Sequence, residues 1–135
     1  MIDLFVKHVS VVDPGAFGVM MGEDRIPFAL TLERTYLVEG KQVTKLPTGA
    51  RLLCIKDFYI KGGYPTFEIQ LEGHDRILFH KANKEMQLDG CIAVGEEFGV
   101  MDGAPAILHC GNGGGFDEFM KKYGNLDQFY LIIEE

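Results

Sequence analysis

GGYPTFEIQLEGHDRILFH, residues 62–80, decides the fold class. Gly62-Gly63 marks a turn, and Thr66 to Leu71 (TFEIQL) then alternates polar and apolar side chains almost strictly. A period of two is the signature of a strand with one buried face. Gly73-His74-Asp75 turns the chain again, and the apolar run RILFH (Arg76 to His80) follows.

The same texture extends outward in both directions. IDLFVKHVSVV (2–12) mixes β-branched and aromatic residues and stops at Pro14-Gly15. AFGVMM (16–21) and PFALTLE (27–33) form a hairpin pattern across Gly22-Glu23-Asp24-Arg25. After RTYLVEGKQVT (34–44), Pro47-Thr48-Gly49 punctuates the chain before the strand ARLLCIKDFY (50–59). CIAVG (91–95), EFGVM (97–101), PAILHC (105–110) and QFYLIIEE (128–135) supply further strands. One segment is helical, FDEFMKKYGN (116–125). Phe116, Phe119, Met120 and Tyr123 recur at helical spacing, acids stand in the first turn, lysines in the last, and Gly124 is the stop. The pattern predicts a mainly β chain: a single compact β-sandwich or barrel-like domain over 1–135, with one short helix near its C-terminus.

Bulk properties exclude several functions. A net charge of −7 with scattered Lys and Arg is wrong for a nucleic-acid binder or for a partner of an anionic membrane. No run has the length of a membrane-spanning helix, and Asp3, Lys7 and His8 interrupt the start before a signal-peptide core could form. The expectation is therefore no membrane and no nucleic acid. Cys54, Cys91 and Cys110 are three, an odd number at irregular spacing, which reads as reduced thiols.

The chemistry concentrates in DRILFHKANKEMQLDGCIAVG (75–95). An apolar strand carries His80 at its tip, and eleven residues later the chain returns with Gly90-Cys91. That arrangement can set a base beside a sulfur nucleophile, with Gly90 permitting a sharp turn that frees the Cys91 amide as an oxyanion donor. The structural alternative is that Cys91 is a small buried hydrophobe, as free cysteines commonly are. Glu33, closing the apolar strand ALTLE, suits either a general acid in a dry pocket or a satisfied strand end. Gly111-Asn112-Gly113-Gly114-Gly115 lacks the Lys-Ser/Thr of a phosphate loop, and Asp117 and Glu118 would repel a phosphate, so it reads as a turn. His8, His74, His80 and His109 show no zinc spacing, so no metal and no cofactor are expected. His109 and Cys110, adjacent on a strand, would face opposite ways.

AFGVM with Thr31-Leu32-Glu33, LPTG (Leu46 to Gly49) and HKAN…DGCIAVG (His80, Asn83, Gly90, Cys91, Ile92, Gly95) resemble, in order, a group of small phage and bacterial proteins. That group resembles a reduced L,D-transpeptidase (YkuD-type) catalytic domain. The resemblance implies a β-rich fold with Cys91 as the nucleophile that forms a thioester, His80 as base and the amides at Gly90-Cys91 as oxyanion hole. It implies Asn83 and Asp89 as substrate-binding positions and peptidoglycan stem peptides as substrate. This chain has Leu88-Asp89 where that family carries Ser-His, and Ala93 where it carries a substrate-holding Arg. Two functions follow as expectations. One is a phage-associated cysteine transpeptidase or peptidase. The other is a non-enzymatic component of a phage particle, partnered by phage structural proteins, that retains the fold. The corresponding locations are the host cytoplasm or the phage particle.

Overall fold

The computed structural model describes residues 1–13, 15–82 and 91–135. It is mainly β, with one large sheet that nearly closes on itself. In chain order the strands of this sheet are β1 (Asp3–Val12), β2 (Gly15–Met21), β3 (Pro27–Glu33), β6 (Arg51–Tyr59), β7 (Tyr64–Ile69), β8 (Phe79–His80), β9 (Ile92–Gly95) and β12 (Gln128–Glu134). Their spatial order is β7-β6-β12-β1-β2-β3-β9-β8. β4 (Thr35–Val38) with β5 (Lys41–Thr44), and β10 (Glu97–Met101) with β11 (Ala104–Leu108), form two separate hairpins. The helix α1 spans Gly115–Tyr123 and ends at Gly124, whose N–H donates to the Met120 carbonyl.

Alternation places one face of β1, β6 and β12 inside, while β2, β3 and β9 carry runs buried on both faces. Residues in register across strands share a face, so buried rows run through the sheet. Ile133, Val6, Met20 and Ala29 form one such row, and Ile69, Cys54 and Phe129 another. The aromatic centre is Phe67, Phe79 and Phe129, all without exposure. Helix α1 seals it by placing the Phe119 ring 4.9 Å from Phe79, 6.0 Å from Phe67 and 6.2 Å from Phe129. The amphipathic spacing of FDEFMKKY therefore serves to present Phe116 and Phe119 to this core while Lys121 and Lys122 stay in solvent.

The sheet closes between its two edge strands. Ile69 N–H donates to the Ile77 carbonyl (2.7 Å), and the Thr66 hydroxyl donates to the Phe79 carbonyl (2.8 Å). An antiparallel bridge pairs Glu68 with Leu78. The expected strand RILFH is thus shorter than its apolar run. Arg76 adopts φ +60, and its N–H donates to the Glu68 carboxylate, so the chain is still turning there. The expected strand PAILHC likewise ends at Leu108. His109 takes φ +57, and the carbonyls of His109 and Cys110 accept the Gly115 and Phe116 N–H groups of α1. His109 and Cys110 are loop residues that tie off the helix start, not strand neighbours.

Glu33 is a buried strand end satisfied by a partner. His8 Nε2 lies 2.8 Å from Glu33 Oε1, with side chains 4% and 3% exposed. Gly18 lets β1 and β3 close on β2 beside this pair. It lies in register between His8 and Thr31, and a Cβ there would stand 2.6 Å from Thr31 Oγ1 and 3.0 Å from the Lys7 carbonyl. Thr31 Oγ1 is the one buried side-chain oxygen or nitrogen without a hydrogen-bond partner among the described residues.

Removing one member of a buried pair leaves the other polar group without its partner in the core. Glu33→Ala is therefore expected to lower unfolding stability by roughly 3–5 kcal/mol in urea titration. Thr31→Val, which removes an unmet hydroxyl at equal shape, is expected to be neutral or stabilising by about 1 kcal/mol in the same titration.

Candidate active site

β8 and β9 run parallel, with Phe79 opposite Ile92 and His80 opposite Ala93. Phe79 and Ile92 face the core and are fully buried. His80 is half-buried, whereas Cys91, immediately before β9, is buried and packs with the core. Ala93, in register with His80, has no exposure and packs in the core. This register is what converts eleven residues of sequence separation into a shared cleft.

That cleft has a volume of about 460 Å³ and is lined by Tyr59, Ile60, Lys61, Asp75, Arg76, Leu78, His80 and Cys91. Cys91 is 6% exposed and lines this cleft. Its sulfur is held by backbone on both sides. Leu78 N–H donates to Sγ at 3.4 Å, and the thiol lies 3.5 Å from the Arg76 carbonyl that accepts from it. A donor aimed at sulfur stabilises a thiolate; an acceptor stabilises the thiol. Ile92 N–H donates to the Leu78 carbonyl, so that amide belongs to the ladder.

His80 is half-buried. Burial, and then the Arg76 guanidinium, holds its pKa below the ordinary 6.5 and favours the neutral ring. The Tyr59 ring meets it edge-on with centroids 4.5 Å apart. Tyr64 Oη lies 3.5 Å from His80 Nδ1 and accepts the Lys81 N–H at 3.1 Å. Burial pushes the Tyr64 phenol up, so it stays protonated at neutral pH.

Cys91 and His80 both line this cleft. Gly90, Asn83 and Asp89 lie outside the described residues. Tyr59 and Tyr64 were not legible as site residues. They flank a Gly62-Gly63 turn and stand opposite each other in the β6–β7 ladder, so in sequence they look like hairpin-end aromatics. Arg76, hidden in a turn motif, is held against Asp57 and the Phe58 carbonyl.

The other thiols differ. Cys54 has no exposure, donates towards the Leu52 carbonyl at 3.7 Å, and is pushed far up by burial. Cys110 donates to the Ala82 carbonyl at 3.2 Å and is raised by burial. It lines a second pocket of about 400 Å³ with Lys81, Glu96 and His109. His109 Nε2 itself lies 3.1 Å from Glu97 at the surface. The glycine-rich turn before α1 offers no anion site of its own, because Gly113 N–H is taken by Asp117 and the next amides by loop carbonyls. Among the described residues no group of three or more His, Cys, Asp or Glu could hold a metal ion, and no helix is long and apolar enough to cross a membrane.

Compared with known proteins, the chain matches no family model, no curated protein and no solved structure.

Because His80 is held below 6.5 in the fold, the unfolded chain binds a proton at His80 that the native state refuses. The His80 contribution to stability is thus complete above pH 6.5 and is lost as pH falls through its lowered native pKa. The expected observation is a His80 ring NMR titration midpoint below 6.5. In His80→Gln, the decline in stability between pH 6.5 and 5 is expected to be shallower than in the parent.

Proposed function

We propose that this protein is a cysteine-dependent acyl-transfer enzyme of the L,D-transpeptidase or peptidase type, acting on peptidoglycan stem peptides and associated with phage. The carrying observation is that the Cys91 sulfur and the neutral-favouring His80 imidazole line one cleft. A base that is unprotonated at neutral pH can accept a thiol proton, which is what nucleophilic catalysis by sulfur requires.

The reaction balances with these groups alone. The Cys91 S–H proton passes to His80 while sulfur attacks a peptide carbonyl and a C–S bond forms. The tetrahedral adduct collapses as the C–N bond breaks, and the imidazolium gives its proton to the departing amine. A second amine or water then attacks the thioester, passes a proton to His80, and releases the thiol, which regains that proton. The substrate class and the phage association rest on the resemblance of LPTG, HKAN and DGCIAVG to that enzyme type. Ala93 in place of its arginine leaves Arg76 and Lys61 as the cations of the cleft.

A second reading is a non-enzymatic interaction module of a phage particle. It draws on the 6% exposure of Cys91 and on apolar side chains held out in solvent, Leu37 at 69% and Val100 at 71%. Such residues suit packing against a protein partner.

Incubation with a stem tetrapeptide, followed by intact-mass measurement, separates the two. The enzyme reading expects a covalent adduct of acyl mass on Cys91 and none in Cys91→Ala. It also expects iodoacetamide to modify Cys91 in the native protein with an apparent pKa below the usual ~8.5. A thiol silent to alkylation until the protein unfolds would sink the enzyme reading in favour of the interaction module.

A further inference from the structure

We infer that Tyr64 is the positioning residue of this site: its phenol oxygen receives the Nδ1–H of His80 and so leaves Nε2 as the atom that takes the Cys91 proton. The inference rests on the Cys91–His80 reading above. It adds a third member that the sequence motifs do not contain.

The geometry is specific. Tyr64 Oη is 3.5 Å from Nδ1, at the long end of hydrogen-bond range. The oxygen is not free to wander. Lys81 N–H donates to it at 3.1 Å, and because Lys81 follows His80 directly, the same stretch of backbone fixes both ring and phenol. The Tyr64 ring is locked edge-on against Phe116 (5.0 Å) and Tyr59 (5.4 Å), with the Lys81 ammonium 4.8 Å from its centroid. Tyr59 in turn presses edge-on against the imidazole and limits its rotation.

The chemistry follows from the donor and acceptor inventory. A neutral imidazole has one N–H and one lone pair, and the partner of one nitrogen sets the role of the other. A phenol oxygen can accept two hydrogen bonds, here one from Lys81 N–H and one from His80 Nδ1–H. The lone pair is then on Nε2. When Nε2 takes the thiol proton, Nδ1–H keeps its acceptor and the imidazolium is stabilised. A carboxylate performs this service in many catalytic sites; a neutral phenol performs it with less charge stabilisation. Among the described residues the other titratable groups around the pair are Tyr59 from β6, Lys61 after it, Asp75 and Arg76 before β8, Lys81 after it, Cys91 and Cys110.

The test is a double-mutant cycle read by iodoacetamide modification of Cys91 across pH, with site mapping and thermal melts on every variant. Tyr64→Phe is expected to move the pH profile upward and slow modification at pH 7 about fivefold, the size of one ordinary hydrogen bond. In the His80→Ala background the same substitution is expected to change nothing, because Tyr64 acts through His80. A Tyr64→Phe effect of equal size with and without His80, or an unmoved profile in the presence of a working His80, overturns the inference alone. A Cys91 profile that His80→Ala leaves unmoved overturns the dyad and this inference together. Should Tyr64→Phe melt early, 3-fluorotyrosine at position 64 keeps the packing and weakens the acceptor. It is expected to shift the profile the same way by less, and an unshifted profile there also overturns the inference.

Discussion

The closure of the sheet between β7 and β8 is the contact on which the rest of the molecule depends. It consists of few bonds, Ile69 N–H to Ile77, the Thr66 hydroxyl to Phe79, and the Glu68–Leu78 bridge. These join residues about eight to thirteen positions apart in sequence to the far edge of an eight-stranded sheet. With β8 fixed against β7, Tyr64 and Tyr59 meet His80. With β9 in parallel register beside β8, Cys91 meets Leu78 and Arg76. A two-residue strand has little pairing energy of its own, so β8 is held from below by Phe79 in the aromatic core rather than by its ladder. The cleft therefore sits against the aromatic core, and a precise site needs such rigid support.

Two histidine sites show how environment divides the same side chain between roles. His8 lies in the interior, paired with Glu33 and 8% exposed, and it ties β1 to β3 across the bare Gly18. Such a pair specifies register, since slipping one strand would leave either polar group buried alone. His80 is half-exposed and has aromatic and phenolic neighbours with no carboxylate among its described partners. Its burial and the Arg76 charge hold it neutral. The first ties two strands together in the interior, and the second is a half-exposed ring lining a cleft.

The thiols divide in the same way. Cys54 replaces a small aliphatic residue in a core row and donates towards a carbonyl. Among the described contacts, Cys91 is the thiol with both a backbone N–H aimed at sulfur and a place in the cleft that His80 lines. This difference is set by position relative to a strand start. Cys91 immediately precedes β9, where the ladder has not yet claimed both sides of the chain.

By itself the sequence determined the local elements. The alternation of TFEIQL, the Gly22–Arg25 turn between β2 and β3, and the helical spacing of Phe116, Phe119 and Tyr123 are short-range patterns, and each formed as its period requires. It also marked Cys91 and His80 as residues worth bringing together. Tertiary structure decided what short range cannot encode. The parallel pairing of β1 with β12 joins the two ends of the chain. The outward stop of RILFH at Arg76 depends on a carboxylate from β7. Loop residues His109 and Cys110 gave up extended geometry to satisfy the first amides of α1. The partners of His80 come from a hairpin sixteen residues upstream, and nothing in a tyrosine beside a glycine turn announces them. Local periodicity reports which face of an element is buried. Which elements become neighbours is settled only when the buried faces compete for one core, and the site is made of those neighbours.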